Sequence, residues 1–310
     1  LLQTLSFQGI VVVEIDLEPL PRLETGDGSW TFYSPEFKQA FHNLSGARQE
    51  ALEKFVLPCH LVPLAQRQSE IHLLDICFGL GYNSGVAWET IADIQRLTHS
   101  GQTQVQIIGL ERSPGIPQQA VHHQILFGST ATDQAYWARA LQEGSLTRED
   151  IVITLLWGDA RTQIQTVPLA WADAVFLDPF SPSVCPELWT VEFLQCVAQR
   201  MKPMGRLTTY SCAASVRTAL QEAGFHIGST SPVGRPWPGT VASPSDPDLP
   251  PLSPAEIEHL QTRAAIPYRD PDLAHPRDII RQLRQAEQQK SSLEPTSAWK
   301  RRWAESERPI

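Results

Sequence analysis

From residue 71 onward, short apolar runs of strand length alternate with longer segments of helical periodicity. The runs are 71–76, 105–110, 151–157, 174–177 and 207–210, and helical patterns fall between and after them at 83–97, 118–126, 134–141, 187–201 and 213–223. Each strand is too apolar to leave a face in water, so the alternation predicts an α/β fold: a parallel sheet covered by helices on both faces. In such sheets ligands bind beyond the carboxyl ends of the strands. Two conspicuous motifs sit at such ends. Leu74-Asp75-Ile76-Cys77-Phe78-Gly79-Leu80-Gly81-Tyr82-Asn83 closes the first strand, and Asp173-Ala174-Val175-Phe176-Leu177-Asp178-Pro179-Phe180-Ser181-Pro182 closes the fourth.

The remainder divides around this core. Residues 1–60 read as a β-hairpin and helix extension, with β-branched Ile10 to Ile15, a turn signal at Thr25-Gly26-Asp27-Gly28-Ser29, and Trp30 to Tyr33 beyond it. Ser34-Pro35-Glu36 has the form of an N-cap followed by proline and predicts a helix start. A second helix is expected over 46–57, ended by Pro58. Residues 61–243 form the sheet domain, and 244–310 are expected as a linker and a basic C-terminal tail. The stretch 232–254, rich in Pro, Ser, Gly and Asp, reads as loop, and 277–290 as a charged helix.

Composition excludes several classes. No apolar run reaches the roughly 18 residues of a membrane span, and the first residues lack the basic-then-apolar pattern of a secretory signal. The five cysteines, at 59, 77, 185, 196 and 212, show neither a Cys-x-x-Cys pair nor a metal spacing, which predicts reduced thiols, no metal and a cytoplasmic setting. The net charge of −9 argues against a generic nucleic-acid binder. From Arg263 onward, however, ten Lys/Arg stand against seven Asp/Glu, so a basic tail on an acidic body can still meet a phosphate backbone.

The first motif suits a nucleoside. Gly79 and Gly81 let backbone approach a ligand closely. Position 84 is Ser, so the dinucleotide fingerprint Gly-x-Gly-x-x-Gly is not met, and no phosphate-loop Lys-Ser/Thr follows. Asp75 would repel a pyrophosphate and suit a cation, which favours S-adenosylmethionine over NAD. Glu111 ends the second strand, where a carboxylate can accept both ribose hydroxyls, and Asp159 ends the third, where it can accept the adenine amino group. Each of these acids is alternatively a helix N-cap or a surface residue. Tyr33, with Trp30 and Phe32, can close over the cofactor or form a buried hairpin face.

The second motif suits an amine. The Asp178 carboxylate and the carbonyl of Pro179 can accept hydrogen bonds from an amine and turn its lone pair towards a methyl donor, and Phe180 can pack on the substrate or stabilise cationic charge. An unperturbed aspartate, with a pKa of about 3.9, is a poor base towards an alkylammonium. Asp178 is therefore expected mainly to orient the amine, with proton removal only if its environment raises its pKa.

With these residues in view the chain resembles the methyltransferase domain of the MnmC family, the tRNA wobble-uridine enzymes. The matching stretches are Asp75 to Asn83; Phe176 to Pro182 with Cys185-Pro186-Glu187-Leu188-Trp189-Thr190; Asp27 to Ser34; and Val216 to Phe225. The resemblance implies a Rossmann-like seven-stranded methyltransferase fold, S-adenosylmethionine as donor, and the aminomethyl group on C5 of the tRNA wobble uridine as acceptor. Phe78, Gly79, Gly81, Asn83, Glu111 and Asp159 then carry over as cofactor contacts, and Asp178 and Phe180 as the substrate-side pair. Cys77 and Pro179 stand where the family has glycine. No second Gly-x-Gly-x-x-Gly follows residue 205, so the resemblance implies a chain that only methylates, its aminomethyl substrate coming from a separate enzyme and its partner being the anticodon stem-loop. Two other readings stay open: transfer to a small polyamine-like amine, and a non-catalytic RNA-binding role. Arg217, Arg235 and the Trp299-Lys300-Arg301-Arg302-Trp303 segment are candidate RNA contacts, with salt bridges or a docked helix as the alternatives.

Overall fold

In the computed structural model, residues 4–7, 10–13, 20–98 and 102–306 are described; Glu14 and Ile15 of the expected first strand lie outside them. The strands are β1 Thr4–Phe7, β2 Ile10–Val13, β3 Arg22–Glu24, β4 Trp30–Ser34, β5 Gln39–Ala40, β6 Glu70–Ile76, β7 Gln104–Glu111, β8 Ser145–Thr147, β9 Ile151–Trp157, β10 Ala172–Leu177, β11 Met201–Thr209, β12 His226–Ser229 and β13 Thr240–Ser243. The main sheet has the order β12-β13-β11-β10-β6-β7-β9-β8. Strands β11, β10, β6, β7 and β9 run parallel; β13 is antiparallel to both of its neighbours, and β8 is antiparallel to β9. The doubly wound α/β architecture expected from the alternation is present, with an eighth edge strand added. Among the described residues no helix is long and apolar enough to cross a membrane.

Every residue of β10 is buried, so the second motif springs from the centre of the sheet. Two apolar layers flank that centre. Phe55, Leu73, Phe127, Trp137 and Phe176 lie in one, and Leu74, Val175, Leu177, Trp189 and Phe193 in the other. Alternate residues of β6 and β10 thus enter opposite layers, as a pleated strand requires.

Two local expectations are corrected. Ser34 does not start a helix. Its hydroxyl accepts the Phe37 N–H at 3.3 Å, but Lys38 has φ +53 and the chain folds back into β5, so Ser34 caps a hairpin turn. Thr240–Ser243, read as loop, is a fully buried strand inserted between β11 and β12; four residues framed by prolines and serines are too few to show periodicity.

The segment after 243 docks on the body. Arg206 holds buried Asp246 through two bonds of 2.9 and 2.7 Å. Arg161 reaches buried Asp270 at 2.8 Å, and Ile280 of the helix Arg277–Lys290 is fully buried. In the helix Thr296–Ser306, Trp299 donates to the Ala255 carbonyl and stacks on His259 at 4.2 Å, and Trp303 donates to Glu258. Both rings are engaged with the body, not offered to RNA. Arg217 is likewise a structural cation, 2% exposed and paired with Glu256 at 2.8 Å.

Candidate functional site

A cavity of about 800 Å³ opens at the carboxyl edge of the sheet, bounded by the ends of β6, β7, β9 and β10 and roofed by residues 34–44. Both motifs contribute to its wall. On one side lie Phe78, Gly79, Leu110, Glu111, Ile116, Asp159 and Ala160. Gly79 has φ +57, a backbone region that favours glycine, and a Cβ there would meet the Cys77 carbonyl at 3.7 Å and the Phe41 ring at 3.9 Å. Its N–H donates to Glu111 Oε2 at 3.0 Å, while Glu111 Oε1 accepts the Arg112 N–H at 2.7 Å. Oε1 also accepts the Ser113 N–H at 3.4 Å, so it is Oε2 that keeps a lone pair for a ligand hydroxyl. Burial raises the Glu111 pKa against those bonds. Asp159 caps the helix Ala160–Gln163 and is gripped by Arg161 at 2.6 Å. Burial pushes its pKa up, but the Arg161 guanidinium and backbone N–H outweigh burial and hold the carboxyl below its ordinary range.

Three expected cofactor residues stand away from this wall. Asp75 is fully buried and accepts the Ser84 hydroxyl at 2.6 Å. Burial raises its pKa to about 7, and the side chain lies outside the cavity lining, where it meets no ligand cation. Gly81 is needed for packing: at φ +82, a Cβ would lie 3.0 Å from the Phe78 and Trp137 rings. Tyr33 alternates away from the cavity, and its strand neighbour Ser34 lines it instead. Cys77 has a left-handed backbone, φ +68, a region that glycine adopts without strain. Its thiol lines the cavity with its pKa pushed well up by burial.

The other side belongs to Asp178. Asn83, expected at the cofactor, donates its Nδ2 to Asp178 Oδ2 at 2.9 Å and so orients the carboxylate. Burial, then repulsion from Glu50, raises the Asp178 pKa well above the usual carboxylate range. Glu50 lines the same cavity, nine-tenths buried; its Oε2 accepts the Asn43 N–H at 2.7 Å, and its Oε1 lies 3.9 Å from the buried Lys54 ammonium. The Pro179 carbonyl, expected to face an amine, accepts the Tyr210 hydroxyl at 2.9 Å.

Phe180 is also redirected. Phe37 stacks on its ring at 4.3 Å and 18°, and Phe41 meets it edge-on at 5.2 Å. Gln39 exchanges two hydrogen bonds with Ser181, at 2.8 and 3.3 Å. Glu36 bonds Arg112 at 3.0 and 2.5 Å and Arg277 at 3.4 Å. The 34–44 segment is therefore a strap across the cavity, and Phe180 is its anchor. Sequence reading missed Glu50, Tyr210 and the strap. Phe37 and Phe41, four residues apart after a turn signal, were the available hint.

The wall fits S-adenosylmethionine. Gly79 lines the cavity with no side chain, Glu111 Oε2 keeps acceptor capacity for a ribose, and Arg112, on that side, is already paired with Glu36 rather than free for a pyrophosphate. Comparisons agree. A family model described as S-adenosyl-L-methionine-dependent methyltransferase matches residues 129–245. The crystal structure of MNMC2 from Aquifex aeolicus matches with a TM-score of 0.76 at 31% identity, over 89% of this chain and 87% of that one. An uncharacterized protein of Methanocaldococcus jannaschii is 30% identical over 277 residues, 86% of this chain and 72% of its own length. The tRNA 5-methylaminomethyl-2-thiouridine biosynthesis bifunctional protein MnmC of Cupriavidus necator is 28% identical over 235 residues, 73% of this chain and 35% of its own length. The chain thus spans about a third of that bifunctional relative. Fold, site and relatives together define an S-adenosylmethionine-dependent methyltransferase. Within that class, the chain belongs to the family of MnmC2 and the methyltransferase part of MnmC.

Proposed function

We propose that this enzyme methylates the amine of 5-aminomethyl-(2-thio)uridine at the wobble position of tRNA, giving 5-methylaminomethyl-(2-thio)uridine. The observation that carries the reading is the pairing of Asp178 and Glu50 on one cavity wall, across from the Gly79–Glu111 wall. Two carboxylates in a partly closed site attract an alkylammonium. The bifunctional relatives are named for 5-methylaminomethyl-2-thiouridine biosynthesis in tRNA, which supports a wobble-uridine carrier for that amine.

In this reading Phe78, Gly79, Glu111 and Asp159 hold the cofactor. Bound S-adenosylmethionine supplies an electrophilic methyl group on a sulfonium. Asp178, steadied by Asn83, accepts a hydrogen bond from the amine and aims its lone pair across the cavity. The raised pKa of Asp178 also makes it a better proton acceptor than an ordinary aspartate, with Glu50 beside it to stabilise the positive charge. Tyr210 fixes the Pro179 carbonyl and hence the backbone that carries Asp178. A separate enzyme supplies the aminomethyl group, and the setting is the cytoplasm, where tRNA is modified. The same carboxylate pair also fits a small free amine, and the net charge of −9 favours that second reading.

The deciding experiment offers the purified protein S-adenosylmethionine with tRNA carrying 5-aminomethyl-uridine, and separately with free polyamines. The expected result is methylation of the tRNA, with Asp178→Ala lowering the rate by about 100-fold or more. Because the carboxyl must be ionised, the wild-type rate should climb with pH through its raised pKa. Methylation of polyamines with unmodified tRNA would replace the tRNA reading. Full activity in Asp178→Ala would remove the active-site assignment.

A further inference from the structure

The loop at 232–239 joins β12 to β13 at the same sheet edge as Asp178, because β12 runs parallel to the central strands. Gly234, at φ +61, presses the loop onto the end of the strap: a Cβ there would fall 2.7 Å from Asn43 Nδ2 and 1.9 Å from Oγ of the following Ser45. Arg235 is thereby set into the cavity wall. Two residues on, Trp237 stands 67% exposed between Pro236 and Pro238. Leu44, between the Asn43 and Ser45 that meet Gly234, also lines the cavity and is 53% exposed.

This rim is unlike the rest of the cavity mouth. Arg112 pairs with Glu36, and Arg277 with Glu36 and Glu187, whereas Arg235 has no ion pair or hydrogen bond among the described residues. An unneutralised guanidinium on an acidic chain suits a phosphate. A large exposed indole, held by flanking prolines that restrict its backbone, suits the face of an unpaired base. A small amine inside the cavity has no use for either group. Asp178 is recessed beneath the strap, so a polynucleotide reaches it only by splaying its target base inward, which leaves the adjacent base and phosphate at the mouth.

We propose that the 232–239 loop is a platform for single-stranded RNA: Trp237 stacks on a base next to the methylated nucleotide, and Arg235 holds the phosphate between them. This rests on the tRNA reading above. The test measures KM for 5-aminomethyl-uridine tRNA, its salt dependence, and the cofactor Kd, in wild type, Trp237→Ala, Trp237→Phe and Arg235→Gln. Trp237→Ala should raise KM about ten-fold, the scale of one lost base stack, with the cofactor Kd unmoved, and Trp237→Phe should recover most of it. Arg235→Gln should flatten the log–log salt slope by about one. Wild-type activity on tRNA with Trp237→Ala within two-fold in KM overturns the platform alone. Wild-type protein that neither binds nor methylates the tRNA overturns both readings. Association of copies or capture of protein through Trp237, with KM for tRNA unchanged, also counts against the RNA platform.

Discussion

Asp178 and Asp75 end adjacent central strands, yet their surroundings assign them different tasks. Asp178 lines a cavity, receives one bond from Asn83 and faces Glu50, so its raised pKa serves chemistry. Asp75 is sealed away, with Ser84 bonded to one oxygen and the other, Oδ1, without a partner. Its raised pKa is a stability statement. The unfolded carboxyl ionises near its ordinary value of 3.8 and the folded one at about 7. Below pH 4 this carboxyl is neutral in both states and takes nothing from the stability. As pH rises towards 7 the unfolded chain alone releases the proton, and stability falls by up to roughly 4 kcal/mol. Asp75→Asn cannot titrate, so its stability should be flatter between pH 4.5 and 8 than that of wild type in urea denaturation. Parallel pH dependence in the two proteins would refute this account.

At the scale of elements, the strap decides how the cofactor is retained. Two of its attachments differ in strength. The Glu36–Arg112 pair is solvent-exposed, and such pairs contribute about 0–1 kcal/mol. The Phe37–Phe180 stack is partly buried, and ring pairs add about 0.5–1.5 kcal/mol beyond the area they cover. Phe37→Ala should therefore raise the Kd for S-adenosylmethionine about five- to ten-fold, chiefly through faster dissociation in stopped-flow. Glu36→Gln should change it less than three-fold. A larger effect from Glu36→Gln would reverse the order argued here. The strap also explains why Phe180 belongs to closure: a ring covered on its face and met at its edge has little surface left for substrate.

For the molecule as a whole, the C-terminal segment is part of the folded body. Asp270 is fully buried and accepts from Arg161, from His275 Nδ1 and from the backbone N–H groups of Ala274 and His275. Because Arg161 also grips Asp159, this knot reaches the cavity wall. Burial raises the Asp270 pKa, but the His275 bonds and Arg161 outweigh burial and leave it lowered. Its stabilisation is therefore present above the ordinary carboxylate pKa and lost as pH falls through the lowered one. Removing one partner from a buried pair costs about 3–5 kcal/mol. Asp270→Ala should lower the unfolding free energy by about 3 kcal/mol at neutral pH, with the loss shrinking in acid. A midpoint unchanged from wild type in urea would show that the segment carries no such weight.

Much of this architecture was legible before any coordinates. The apolar runs located β6, β7, β9, β10 and β11, because a strand buried on both faces must be apolar along its length. Gly79 and Asp178 were legible as well, since positive φ and a strand-ending Asp-Pro leave local marks. What left no mark was contact across the chain. Gln39 meets Ser181 over 142 positions and Arg161 meets Asp270 over 109. Asp75 and Asp178 look alike in sequence, each an acid at the close of an apolar strand. Only the packed sheet, with one carboxylate sealed beneath the Gly79 loop and the other opened to a cavity beside Glu50, made the first a buried structural group and the second a candidate catalyst. Periodicity and turn chemistry act over a few residues and so determined the elements and their order. Burial and charge pairing depend on which surfaces the fold brings together, and these the tertiary structure decided.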